Sequence, residues 1–245
     1  MTEITMPDGS AEAYVARPDD EEHPGVLFFI DAIGLRPRIE EMADRIASWG
    51  YVVLAPNVFY RDGRAAELAP ESDLSEPGAR EEFFGQVMPR LRALTPKRTD
   101  PDTTAYLQAL REQPGVSSGP VGVTGYCMGA RLAVRAAGNH PDDVAACGGF
   151  HGGGLVTDDE ESPHQSLATA RAEFCFGHAD NDQSNSPEQI ATLGKALEQA
   201  GLTASNEVYD GAPHGYTMSD TPMYDEAAAE RHFDALRDLL GHTLA

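Results

Sequence analysis

Gly125-Tyr126-Cys127-Met128-Gly129 sets a thiol midway between two glycines, in a Gly-x-Cys-x-Gly pattern. A short apolar run, Val121–Thr124, leads into it, and a helical pattern, Ala130–Ala137, leads out. A nucleophile for acyl transfer must stand proud of its surroundings, and a sharp strand-to-helix turn presents it that way. Such a turn strains the backbone at the nucleophile, and glycines two residues to either side relieve the crowding. At the start of a helix, Cys127 faces the positive end of the helix dipole, which favours thiolate. The N–H of Met128 is placed to meet an oxyanion as it develops. The competing reading is a buried cysteine in a glycine-rich turn. It is the weaker one, because residues able to serve a nucleophile follow downstream.

A thiol nucleophile needs a base and a group to orient that base. In an α/β-hydrolase the chain order is nucleophile, acid, histidine. Among the eight histidines, His232 and His242 fall in or after the last helical pattern and read as solvated. His164 lies in a polar loop, and His151 and His178 come too early to leave room for the acid's own strand. His214 lies in Gly211-Ala212-Pro213-His214-Gly215-Tyr216, a Gly/Pro loop just after the last apolar strand. That is where a loop at the end of a sheet would deliver an imidazole. For the acid, Gly177-His178-Ala179-Asp180-Asn181-Asp182 offers Asp180 and Asp182. The Gly-x-x-Asp spacing favours Asp180, with Asp182 left to cap the following helix. His151-Gly152-Gly153-Gly154 resembles an esterase oxyanion loop but follows the nucleophile instead of preceding it, so it reads as pocket lining.

The 245 residues carry a net charge of −22, which repels nucleic-acid backbones and anionic lipid surfaces. Of the 18 basic residues only Lys97 and Lys195 are lysines. No apolar run is long enough to span a membrane. Met1–Thr5 has no features of a secretion signal, and the expected location is the cytoplasm. Cys127, Cys147 and Cys175 are an odd number without CxxC spacing and read as free thiols. No metal-binding spacing of histidines occurs, and no cofactor is expected.

Short apolar runs alternate with amphipathic segments from residue 25 onward, which predicts one α/β domain over 1–245, a mainly parallel central sheet flanked by helices. Strands are expected at Ala11–Arg17 (on the edge), Gly25–Ile30, Tyr51–Pro56, Val121–Gly125, Val144–Gly149, Ala172–Phe176 and Ala204–Tyr209. Helices are expected at Ile39–Trp49, Glu81–Leu94 (kinked or broken at Pro89), Asp102–Glu112, Ala130–Ala137, Pro187–Ala200 and Tyr224–Leu240. Residues 57–80 read as a long surface excursion.

Gly-Tyr-Cys-Met-Gly-Ala-Arg at 125–131, Gly-x-x-Asp at 177–180 and Gly-Ala-x-His-Gly-Tyr at 211–216 together resemble the dienelactone hydrolase family of α/β-hydrolases, over roughly residues 10–240. The resemblance implies a Cys127–His214–Asp180 triad acting on a small-molecule ester or lactone, without metal or cofactor. It also implies that an acid after the first central strand, here Asp31, contacts the nucleophile, and that Ala32 N–H is a second oxyanion donor. In the enzyme that names the family, arginines bind an anionic substrate. Arg80 matches one of these positions and Met218 stands at another, so a less charged ester, lactone or thioester is expected here. Phe150, His151 and Met218 are expected to line the pocket. A thioesterase would use the same residues. A non-catalytic, redox-sensing protein with Cys127 as sensor would not need His214 or an acid.

Overall fold

In the computed structural model, residues 1–76 and 78–244 are described. Eight strands form one sheet in the order β1-β2-β4-β3-β5-β6-β7-β8. β1 (Thr2–Met6) and β2 (Gly9–Ala16) make an antiparallel hairpin at one edge, and β2 also runs antiparallel to β4. The remaining neighbours are parallel: β3 (Gly25–Phe29), β4 (Val52–Pro56), β5 (Val121–Tyr126), β6 (Val144–Phe150), β7 (Glu173–Ala179) and β8 (Ala204–Tyr209). β3, β4 and β5 are buried along their whole length, as strands covered on both faces must be.

The edge of the sheet differs from expectation. β1 is absent from the expected strands, although Ile4 and Met6 are buried two residues apart, the spacing that puts both side chains on one face. It displaces β2 from the edge.

The helices are α1 (Pro37–Ala47), α2 (Ala65–Leu68), α3 (Ala79–Ala93), α4 (Pro96–Arg111), α5 (Met128–Asn139), α6 (Pro187–Gln199) and α7 (Glu226–Thr243). α3 runs through Pro89 unbroken, and α4 begins six residues before the expected Asp102, taking in Pro101. Each proline removes one N–H and frees the carbonyl four residues earlier. Pro89 and Gly85 are both exposed, as are Pro101 and Lys97, so water can take the freed oxygens. α4 is held by Thr99, Asp102, Thr103, Tyr106, Leu107 and Leu110, a buried stripe at helical spacing.

Candidate active site

The loops that leave the C-terminal ends of β3, β5, β6, β7 and β8 carry Asp31, Cys127, His151, Asp182 and His214 respectively. Open parallel sheets bind ligands at this end, where successive loops converge.

Cys127 joins β5 to α5 with φ 54° and ψ −118°, backbone that a side chain adopts only when its surroundings enforce it. The flanking glycines explain how the turn closes. A Cβ on Gly125 would lie 2.2 Å from the Gly129 carbonyl oxygen, and one on Gly129 would lie 2.4 Å from the Phe29 carbonyl oxygen. α5 therefore packs directly on the strand ends, and Cys127 is lifted over them. The Cys127 N–H donates to the Phe150 carbonyl at 3.1 Å, which ties the elbow to β6.

His214 shares a hollow with Cys127, and the Nδ1–H of its imidazole donates to Asp182 Oδ2 at 2.6 Å. That bond leaves the other ring nitrogen for the thiol. Burial of the ring disfavours its charge, but the Cys127 sulfur and the Asp182 carboxylate outweigh burial, and the His214 pKa is pushed up to about 10. The ring is therefore favoured as an imidazolium between the Cys127 sulfur and the Asp182 carboxylate. Asp182 is in turn fixed by Ser184, whose N–H and hydroxyl donate to Oδ1 at 2.8 and 2.7 Å. Burial raises the Asp182 pKa, but hydrogen bonds from His214 and Ser184 win and hold it below the usual carboxylate range.

Asp182, and not Asp180, is thus the acid on His214. β7 continues to Ala179, and Asn181 follows in the left-handed conformation at φ 51°. That single residue turns the chain, so that Asp182 faces the imidazole while Asp180 points to the neighbouring loop. Asp180 Oδ2 accepts from Gly211 N–H at 3.0 Å, and Asp180 N–H donates to the Ala212 carbonyl at 2.8 Å. It braces the loop on which His214 rides.

Asp31 lines the hollow but makes no hydrogen bond to Cys127 or His214 among the described residues. Its Oδ1 accepts from Arg36 Nη1 at 2.7 Å and from Ile33 N–H at 3.0 Å, and its Oδ2 accepts from Arg36 Nη2 at 3.1 Å. Arg36 reaches on to Asp220, Nε to Oδ2, at 2.5 Å. Burial disfavours the Arg36 charge, but Asp31 and Asp220 overcome it and raise its pKa. Arg36 is absent from the expected site residues; its signal in the sequence is an acid and a base five residues apart, Asp31 and Arg36, in the mostly apolar stretch Ile30–Arg36.

The remaining expectations divide. Ala32 lines the hollow with Cys127; neither its N–H nor that of Met128 has an acceptor among the described residues. His151, Met218 and Arg80 line the hollow. Phe150 does not: it is fully buried, stacked on Tyr126 at 5.7 Å and against His232 at 4.7 Å. His232, expected in solvent, is wholly buried, hydrogen-bonded with Tyr126 at 3.2 Å, and burial pushes its pKa down to about 3. His151 is also kept neutral by burial, with Nε2 on Thr217 Oγ1 at 2.8 Å.

No group of three or more histidine, cysteine or acidic side chains suited to a metal ion occurs among the described residues. No helix among them is long and apolar enough to cross a membrane.

Comparison with known proteins places the chain in a family. Residues 11–244 match the dienelactone hydrolase family. A putative carboxymethylenebutenolidase of Yersinia pestis is 25% identical over 96% of this chain and 86% of its own length. A hydrolase of Aspergillus violaceofuscus is 32% identical over 86% of this chain and 77% of its own. The crystal structure of a putative dienelactone hydrolase from Klebsiella pneumoniae superposes with a TM-score of 0.80 at 22% identity, covering 98% of this chain and 96% of that one. With this match over nearly its whole length and an eight-stranded, mostly parallel sheet flanked by helices, the chain is an α/β-hydrolase and belongs to the dienelactone hydrolase family.

Proposed function

We propose that the protein hydrolyses a carboxylic ester or lactone with Cys127 as nucleophile, His214 as general acid and base, and Asp182 as the group that orients His214. The observation that carries this reading is the His214 ring, held at Nδ1 by Asp182 and sharing the hollow with Cys127. The Cys127 sulfur attacks the carbonyl carbon, and the carbonyl π pair moves onto oxygen. The N–H groups of Met128 and Ala32 receive that oxyanion. When the tetrahedral adduct collapses, the carbon–oxygen bond to the leaving group breaks and His214 gives its proton to the departing oxygen. His214 then takes a proton from water, whose oxygen attacks the thioester and releases the acid and the thiolate. In a lactone the leaving oxygen remains part of the acyl chain, and the second step releases a single hydroxy acid.

Substituting Cys127→Ala is expected to lower kcat on a small activated aryl ester by about a thousandfold or more, since the groups of such a triad act as a unit. Turnover close to wild type would move the chemistry to another residue. A redox-sensing role is less well supported, because a sensor thiol needs neither the His214 imidazole nor the Asp182–Ser184 bracing behind it.

A further inference from the structure

α3 lies over the hollow and is only lightly attached to what lies beneath it. Its Phe84 lines the part that holds Asp31 and Met218, and its Met88 and Leu91 line the continuation beyond Cys127 and His214. Of the fifteen residues of α3 only Phe83 and Val87 are buried, whereas α5, which starts at the Cys127 elbow, buries nine of its twelve. A second cavity, of about 90 Å³, undercuts α3 on the side of Leu68 and Leu74. Elements with so little buried apolar contact are those that open at low cost. Met88 is 41% exposed at the mouth of the hollow, a large apolar side chain poised to cover a ligand.

Both ends of α3 have the form of a hinge. Gly78 enters it in left-handed backbone at φ 83°, with open space where a Cβ would stand. Leu94 leaves it at φ −77° and ψ 62°, outside helical backbone, and α4 starts two residues later. Between these ends one side-chain hydrogen bond reaches α3 from the rest of the described chain: Arg131 Nη2 donates to the Leu91 carbonyl at 3.3 Å. Leu91 lies in the last turn of α3, where the helix dipole is negative and a guanidinium is favourable. Arg131 is on α5, one turn beyond Cys127. Its Nε is buried without a partner, so among the described residues the bond to α3 is the one use the fold makes of its side-chain donors.

We propose that α3 is a hinged lid on the site, turning about Gly78 and Leu94, and that Arg131 is the tether that returns it to its place beside Cys127. Opening admits the substrate, and closing lays Phe84 and Met88 over its apolar part. Arg131 is a positioning residue, acting through Leu91 and not on the reacting atoms. The inference concerns access to the site of the proposed function and rests on the substrate meeting Cys127 there.

The test joins hydrogen–deuterium exchange of the whole chain, read by mass spectrometry, to alkylation of Cys127 by two neutral reagents, small iodoacetamide and bulky N-(1-pyrenyl)maleimide. In wild type the peptides of α3 are expected to exchange about a hundredfold or more faster than those of α5. The rate ratio of bulky to small reagent should lie about tenfold or more below that of N-acetylcysteine, because the bulky one waits for opening. In Arg131→Gln both the exchange of α3 and that ratio should rise about fivefold, with α5 and β5 unchanged, and Arg131→Lys should restore most of the difference. Gly78→Ala, at the opposite end and in open space, should speed the same exchange without touching Arg131, since left-handed backbone disfavours a side chain. That variant keeps the lid testable if Arg131→Gln fails to fold. Exchange of α3 as slow as that of α5, or a wild-type ratio equal to that of the free thiol, would overturn the lid. Unchanged exchange and ratio in Arg131→Gln would overturn the tether. Neither measurement needs turnover, so a lid that behaves as expected in a protein that hydrolyses no ester, lactone or thioester stands while the proposed function fails.

Discussion

Asp31 and Asp182 are both buried carboxylates on loops leaving the same end of the sheet, yet they do different things. Asp31, after β3, is gripped by the two terminal nitrogens of Arg36, a cation that never loses its proton. Asp182, after β7, holds a single Nδ1–H of an imidazole, a group that can gain and lose protons during turnover. The partner, more than the acid, decides whether a buried carboxylate closes a loop or takes part in chemistry. Around Asp31, Arg36 also donates to the Gly34 carbonyl at 3.0 Å and reaches Asp220 near the loop that bears His214, so that pair is a latch between two loops of the site.

The sharpest way to break this contrast is to remove the charge from each acid. Asp182→Asn is expected to lower kcat by about 10³–10⁴-fold with the fold retained, because the amide selects the wrong imidazole tautomer. Steady-state kinetics on an aryl ester check this. A loss as large in Asp31→Asn, with no loss of stability, would give the two acids the same role. Second in size is Arg36→Leu, which strands the Asp31 charge in a buried site. A destabilisation of about 3–5 kcal/mol is expected in denaturant melts, and much of it should be recovered in the double variant Arg36→Leu/Asp31→Leu.

A smaller effect comes from histidines outside the triad. His232 is neutral in the fold, with its pKa depressed to about 3, whereas in the unfolded chain it titrates near about 6.5. The unfolded state therefore binds the extra proton first. Stability is fully present above about pH 6.5 and declines as pH falls toward 3, by about 1.4 kcal/mol per pH unit from this residue. His232→Phe is expected to flatten that limb in melts taken between pH 4 and 7. The smallest effect belongs to Asp180→Asn, which loosens the hydrogen bond to Gly211 and should change kcat less than about tenfold, an order of magnitude or more below the loss for Asp182→Asn.

What was legible in the sequence follows a physical division. The elbow was readable because a strained turn needs glycines at fixed offsets, and Gly125 and Gly129 stand where a Cβ would collide with backbone. His214 was readable from its loop after β8. The sequence spacing favours Asp180 and misses Asp182, since the choice turns on the left-handed backbone of Asn181, a conformation asparagine tolerates without requiring it. Arg36 escapes a sequence reading for a related reason. A lone arginine in sequence gives no sign of whether it will be buried, and Arg36 finds Asp220 184 positions away. The unbroken α3 and α4 show the same limit, because Pro89 and Pro101 interrupt a helix only where the freed carbonyl has nowhere to turn.

The central claim, that Cys127 carries the acyl group, is tested most directly by rapid-quench mass spectrometry with an activated aryl ester under single-turnover conditions. An acyl adduct should form and decay on the peptide containing Cys127, and accumulate further in Asp182→Asn, where His214 no longer activates water well. Hydrolysis at the wild-type rate in Cys127→Ala, or an adduct on any other residue, would contradict it.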